Sequence, residues 1–347
     1  MNYLYSLNST ETITIEVESS PVWEVILGIA GYTHPKLRHT FEQDEIWTSW
    51  EKKLPIDLSE LLKEIQETNL WYGLIMLQTK FTASTIQEFS DSLASISEPT
   101  FYKTLLPYKN RTCEEIREYT AMNFEDKHLF IEYSHHFLDH DYLGDYVKSL
   151  GEYLFEEIRS LYQTILEKWY QWVSTNEEWK TWMKALEFEQ KHYASIDSGN
   201  PSEIIEHISG RKNYIPEPSI WTVKLVPHVS YRPWTLELRT SDTKLIFYPI
   251  KEEYFIQPGV PSNELIAGHK ALGDELRLKL LYQLKKGPMS LQELSVQFLI
   301  SKTTLHHQLS ILKSAKFIRV EKGIYSINAD QLDAFSTKLM HYLDQSL

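Results

Sequence analysis

Near the C-terminal end of the chain two helix-start signals stand eleven residues apart, at Ser290 and Ser301, and they restrict the local fold severely. Ser290 precedes Glu293 at the spacing of a capping box, in which the two residues satisfy each other's free backbone N–H groups. Ser301 opens the run "SKTTLHHQLSILKSA" (301–315), where Leu305, Leu309 and Leu312 recur at i, i+4 and i+7 and form one apolar stripe. The first helix has room for only about two turns, too few to be stable alone. It must pack on the second, whose outer side carries Thr303, His306, His307 and Ser310, with Lys302 at its start.

The flanking residues extend this frame. Asp274 can cap a helix bearing Leu276, Leu280, Leu281 and Leu284, which Gly287-Pro288 ends. "FIRV" and "IYSI" flank "EKG", which predicts a hairpin with Arg319 and Lys322 near its tip. Residues 329–345 read as a final amphipathic helix with Leu332, Phe335, Leu339 and Tyr342 on one face. Two short helices in this order, the second polar and basic outside, are a helix-turn-helix, and the hairpin is a wing. The charge agrees: the chain totals −13, but residues 261–347 hold 11 Lys and Arg against 8 Asp and Glu. Screening confines phosphate attraction to about 8 Å, so a local basic surface can act at the end of an acidic protein.

This segment resembles the ArsR-type winged-helix transcription factors. The resemblance runs through "KALGDELRLKLL" (270–281), "MSLQELS" (289–295), the recognition helix (301–315) and the wing, roughly the last quarter of the chain. It implies a homodimer on a double-stranded DNA operator, with terminal helices of this domain at the interface. It also implies that Thr303, His306, His307 and Ser310 face bases, while Lys302, Lys313, Arg319 and Lys322 contact phosphates or the minor groove. Ser301 and Thr304 complete the expected DNA-binding set. His306 and His307 have an alternative role, positioning the helix or touching phosphate without reading bases. Lys316 departs from the pattern, since the family commonly has Gly at the turn before the wing, and the wing loop is short.

Many members of that family bind metal. The Cys-x-Cys site of the first helix has Ser290 and Gln292 in its place, and a last-helix site reduces to Asn328, Asp330, His341 and Asp344. In "EYSHHFLDHDYLGDY" (132–146), His136 and His140 would share one face of a helix and His135 and Asp139 another, a chelating spacing without a third ligand. These are secondary candidates; no metal or other cofactor is expected.

The preceding residues, 1–260, form a second expected domain, for sensing or dimerisation. "ETITIEV" (11–17) alternates as a strand, Ser20 and Pro21 start a helix that Gly28 and Gly31 could end, and residues 58–72 and 84–96 read as helices. From 110 to 208 the pattern is almost wholly helical, with breaks expected at 144–151, 174–176 and 197–201. Residues 218–229, 234–240 and 243–250 then alternate as strands, with "TSDT" (240–243) as a hairpin loop. The expected fold is α+β and mostly helical: a helical domain with a small antiparallel sheet, a linker at 257–263, then the winged helix. "IEVESSPVWEVILGIAG" (15–31) also resembles the start of a poorly characterised domain that precedes ArsR-type domains in some Gram-positive regulators.

All ten Trp lie at or before Trp234. The pairs Trp169/Trp172 and Trp179/Trp182 read either as core or as walls of a cavity for an apolar or cationic effector. No P-loop, GxGxxG or GxSxG is present, and Cys113 is the sole cysteine, so an enzyme is not expected. No apolar run approaches a membrane span and no secretory signal is evident, so the expected location is the cytoplasm. The expectation is a sequence-specific regulator, with repression the expected sense; the alternatives are a DNA-docked interaction scaffold and a metal-responsive sensor.

Overall fold

The apolar run after Ser20 becomes a buried helix. Ser20 accepts a hydrogen bond from the Trp23 N–H, Pro21 takes the first helical position, and α1 runs from Pro21 to Tyr32. It passes straight through Gly28 and ends at Tyr32, one residue past Gly31; the sequence offers both glycines as possible helix ends, and only Gly31 lies near the actual one. A Cβ at Gly28 would stand 2.9 Å from Trp169 Nε1, and one at Gly31 3.1 Å from the Trp47 ring. Both glycines admit aromatic rings against the helix, and Gly28 does so in mid-helix without terminating it.

The computed structural model describes residues 13–34, 36–193, 200–210, 214–250 and 261–344. The chain divides into two units, Met1–Lys251 and Glu252–Leu347. The sequence-based boundary at 260/261 adjoins residues 251–260, which lie outside the described residues.

The first unit begins with β1 (Thr14–Val17). After α1 come α2 (Asp44–Trp50), α3 (Ile56–Thr68), α4 (Trp71–Phe81), α5 (Ile86–Ser95) and α6 (Glu98–Leu105). Then follow α7 (Glu114–Met122), α8 (Lys127–Ser134), α9 (Leu143–Glu152), α10 (Phe155–Ser174), α11 (Glu177–Tyr193) and α12 (Pro201–Ser209). The break expected at 174–176 is where α10 gives way to α11, whereas that expected at 144–151 falls inside α9. The break expected at 197–201 falls mostly outside the described residues.

Three further strands close the unit: β2 (Thr222–His228), β3 (Leu236–Arg239) and β4 (Thr243–Pro249). The sheet order is β1-β2-β4-β3. It is mixed, and here the sequence reading of an antiparallel sheet needs correction: β1 runs parallel to β2, and β2 parallel to β4. Only β3 and β4 form the expected hairpin. Parallel neighbours need a long crossover, and between β1 and β2 the crossover is the helical body itself. Both faces of the sheet are covered. Val223, Leu225, Ile246 and Tyr248 pack on Ile205 and Ile208 of α12, while Phe247 meets the Trp23 ring of α1 at 5.4 Å. The buried Glu24 ties α1 to the end of β2, accepting hydrogen bonds from the Val229 N–H (3.0 Å) and the Ser230 N–H (2.8 Å). Burial raises the pKa of its carboxyl, against the lowering effect of these bonds.

Trp169, Trp172, Trp179 and Trp182 are all buried. Trp169 and Trp172 pack edge-on at 5.0 Å, Trp50 bridges Trp172 to Trp182, and Tyr32 meets both Trp169 and Trp172. These rings are core, packed on each other.

The second unit contains α13 (Asn263–Leu272), α14 (Glu275–Lys286), β5 (Met289–Ser290), α15 (Leu291–Phe298) and α16 (Lys302–Ser314). It ends with β6 (Ile318–Glu321), β7 (Ile324–Ile327) and α17 (Ala329–Asp344). Leu280, Leu281 and Leu284 of α14, Leu294 of α15, and Leu305, Leu309 and Leu312 of α16 form one core, closed by Phe317 and Phe335. The strands form an antiparallel sheet in the order β5-β7-β6. Among the described residues no helix is long and apolar enough to cross a membrane.

Candidate nucleic-acid interface

Local capping builds this site. Ser290 and Glu293 form the full capping box of α15: the Ser290 N–H donates to Glu293 Oε2 (2.7 Å) and the Glu293 N–H to Ser290 Oγ (3.3 Å). The Ser290 backbone N–H, then its hydroxyl, hold the Glu293 carboxyl below its usual pKa. After Phe298 the chain turns through Leu299 in the left-handed region (φ 56°), and Ser295 Oγ ties down the Ile300 carbonyl at 2.7 Å. Ser301 then caps α16, accepting from the Thr304 N–H at 3.2 Å, with its hydroxyl 2.9 Å from that of Thr304.

With Leu305, Leu309 and Leu312 buried, the opposite face of α16 is exposed along Thr303, His306, His307 and Ser310. Lys302 and Lys313 are exposed at its two ends, about 16 Å apart at 1.5 Å per residue. Ser301 and Thr304 are also exposed, but their hydroxyls serve the cap. In the wing, Lys322 (φ 50°) and Gly323 (φ 82°) make the tip, a two-residue turn with both residues left-handed. Arg319 pairs with Ser326 across the hairpin, nearer its base than sequence reading placed it, and donates to Asn328 Oδ1. All the expected contact residues thus lie exposed on one helix and its adjoining hairpin.

Two features escaped sequence reading. Arg277, in the first turn of α14, where its backbone N–H donates to the Asp274 cap, donates from Nε to the Ala271 carbonyl and from Nη2 to the Lys270 carbonyl, both at 2.7 Å. From Nη1 it donates to Gln308 Oε1, also at 2.7 Å, so one guanidinium joins the end of α13 to the middle of α16. Asn328 reaches back to the Lys316 carbonyl at 2.8 Å and so pins the base of the wing to the end of α16. Neither role has a local sequence signal, because each partner lies on another element.

The metal candidates separate. The helix expected across 132–146 ends at Ser134, and His135–Phe137 form one tight 3-10 turn. His136 Nδ1 lies 3.7 Å from Cys113 Sγ, His140 packs edge-on against Tyr142 at 4.6 Å, and Asp139 is paired with Lys109 at 2.9 Å. Among the described residues, no three His, Cys, Asp or Glu side chains come together as a metal site. The side chains of Asp330, His341 and Asp344 lie outside what the structure describes.

Comparison with known proteins adds one finding. Residues 274–320 match the family described as "Bacterial regulatory protein, arsR family". No curated protein and no solved structure matches the chain at a significant level. The match spans α14, β5, the α15–α16 pair and most of β6, the same elements that carry the exposed basic face. The C-terminal unit is therefore an ArsR-type helix-turn-helix domain, the DNA-binding part of a transcriptional regulator.

Proposed function

We propose that the chain is a cytoplasmic, homodimeric, sequence-specific repressor whose first unit senses an effector and catalyses no reaction. The observation that carries this reading is the exposed face of α16, with its polar run between Lys302 and Lys313 above a closed leucine core. Thr303, His306, His307 and Ser310 face base edges in this reading, while Lys302, Lys313, Arg319 and Lys322 meet phosphates. Dimerisation is supported by exposed apolar side chains on the terminal helices of the second unit, Ile266 on α13 and Met340 and Leu343 on α17. An effector bound to the first unit would act by population shift, favouring the arrangement of paired recognition helices that binds DNA worse.

The test is a gel-shift titration of the full chain on DNA upstream of its own gene, with unrelated DNA as competitor. The expected result is retention against competitor and a loss on the order of 10⁴-fold in affinity between about 50 and 200 mM salt, from eight or so phosphate contacts per dimer. Competition by unrelated DNA at equal strength, repeated on a genome-fragment library, would contradict the proposal.

A further inference from the structure

The first unit holds a cavity of about 140 Å³, partly open to solvent, that the Trp169–Trp182 region does not line. Five segments converge on it. His34 follows α1, Trp71 opens α4, Tyr142 precedes α9, Tyr231 follows β2, and the β3–β4 hairpin contributes Phe247. Leu37, Ile75, Leu236 and Leu238 complete its apolar wall.

The walls are fixed by ring contacts, two with rings behind them and one within the wall. Tyr231 packs on Phe41 at 4.8 Å, Phe247 on Trp23 at 5.4 Å, and Trp71 on Tyr142 at 4.8 Å. A cavity so braced is preformed, and a ligand entering it loses little affinity to reordering of the protein.

Size and polarity select the ligand. An apolar cavity of about 150 Å³ accepts one benzene ring, so the space between these walls matches a single ring. Glu237 is the one residue of its lining that bears a charge, but Glu237 alternates with Leu236 and Leu238 along β3. Its carboxylate meets Lys244 at 2.9 Å on the opposite face of the sheet from Phe247. A cation entering here would lose hydration without gaining a counter-charge, which disfavours an ammonium ligand despite the ring faces. Desolvation holds the His34 imidazole below its usual pKa, so at neutral pH it too is uncharged. Tyr142 and Tyr231 supply hydroxyls that bond to no described residue.

We propose that this cavity binds one neutral single-ring aromatic carrying a hydroxyl, a molecule of the phenol class, held between the Trp71, Tyr142, Tyr231 and Phe247 rings. Such a ligand would touch α1, α4, the approach to α9 and the sheet together. As the effector of the regulator proposed above, it rests on that reading; as a ligand site, it does not.

The experiment is calorimetric titration of the full chain with phenol, with toluene and tetramethylammonium as comparison probes, on wild type and Leu238→Trp. Leu238 is half-exposed on β3, so an indole there fills the cavity while the fold, checked by circular dichroism, is kept. The proposal expects one phenol per chain with Kd on the order of 0.1 mM, weaker toluene binding, and at least about tenfold loss in L238W. Absence of saturable binding up to about 10 mM, full binding by L238W, or preference for tetramethylammonium would each overturn it. A parallel gel shift with saturating phenol separates the two readings. Binding without any change in DNA affinity keeps the site and removes its effector role; loss of DNA binding on phenol addition supports both.

Discussion

Lys316 shows how much one residue's backbone can carry. The end of α16 is a Schellman motif: the Phe317 N–H reaches the Leu312 carbonyl at 3.0 Å and the Lys316 N–H reaches Lys313 at 2.9 Å. That geometry places Lys316 in the left-handed region at φ 61°, the conformation for which the family's usual glycine is suited. Lys316→Gly is expected to leave stability equal or raise it by up to about 1 kcal/mol, and Lys316→Val to lower it by about 1 to 2 kcal/mol. Urea unfolding followed by circular dichroism checks both. Gly28 is the converse case. Gly28→Ala improves helix propensity by about 1 kcal/mol but drives a methyl into Trp169, an overpacking cost of about 1 to 3 kcal/mol. The expected net effect is destabilisation, read from the midpoint of tryptophan-detected unfolding.

At the scale of elements, the second unit was legible because its signals are local. Asp274, Ser290 and Ser301 each cap the helix that their position in the sequence announces. Ser301→Ala should cost about 1 kcal/mol of stability and fray the first turn of α16, which hydrogen exchange would show as faster amide exchange around Thr303 and Thr304. Arg277→Met should cost more, about 2 to 4 kcal/mol, because it leaves the carbonyls of Lys270 and Ala271 and the side chain of Gln308 without their charged donor. Arg277→Lys should not restore the loss, since one ammonium cannot reproduce the planar fork. The first unit was less legible for physical reasons. A glycine that ends a helix and one that admits an indole look the same in sequence, as Gly28 and Gly31 show. The spacing of His136 and His140 suggests one helix, but the chain turns at His135–Phe137 with Phe137 buried in the core. The parallel pairing of β1 with β2 joins residues some 200 positions apart, which no local alternation encodes. The aromatic cavity is assembled from five segments in the same way.

At the scale of the whole molecule, the uneven distribution of tryptophan gives a selective probe, because every Trp belongs to the first unit. His228 is fully buried in that unit, and desolvation pushes its pKa down to about 3. Above pH ~6.5 the imidazole is neutral whether folded or unfolded and contributes no pH dependence. Between ~6.5 and ~3 only the unfolded chain takes up the proton, so stability falls as the pH falls, by at most about 1.4 kcal/mol per unit. Tryptophan-detected unfolding of wild type and His228→Gln at pH 7 and pH 5 should therefore show a shallower loss in the variant. Equal losses would mean that His228 does not set this dependence. The central claim, that the basic polar face of α16 reads DNA, is tested most directly by the salt dependence of operator affinity for wild type, Lys302→Ala and His307→Ala. The account predicts that Lys302→Ala weakens binding to all sequences and flattens the log–log salt slope by about 1 per protomer, whereas His307→Ala changes sequence preference with the slope nearly kept. Unchanged affinity, slope and preference in both variants would contradict it.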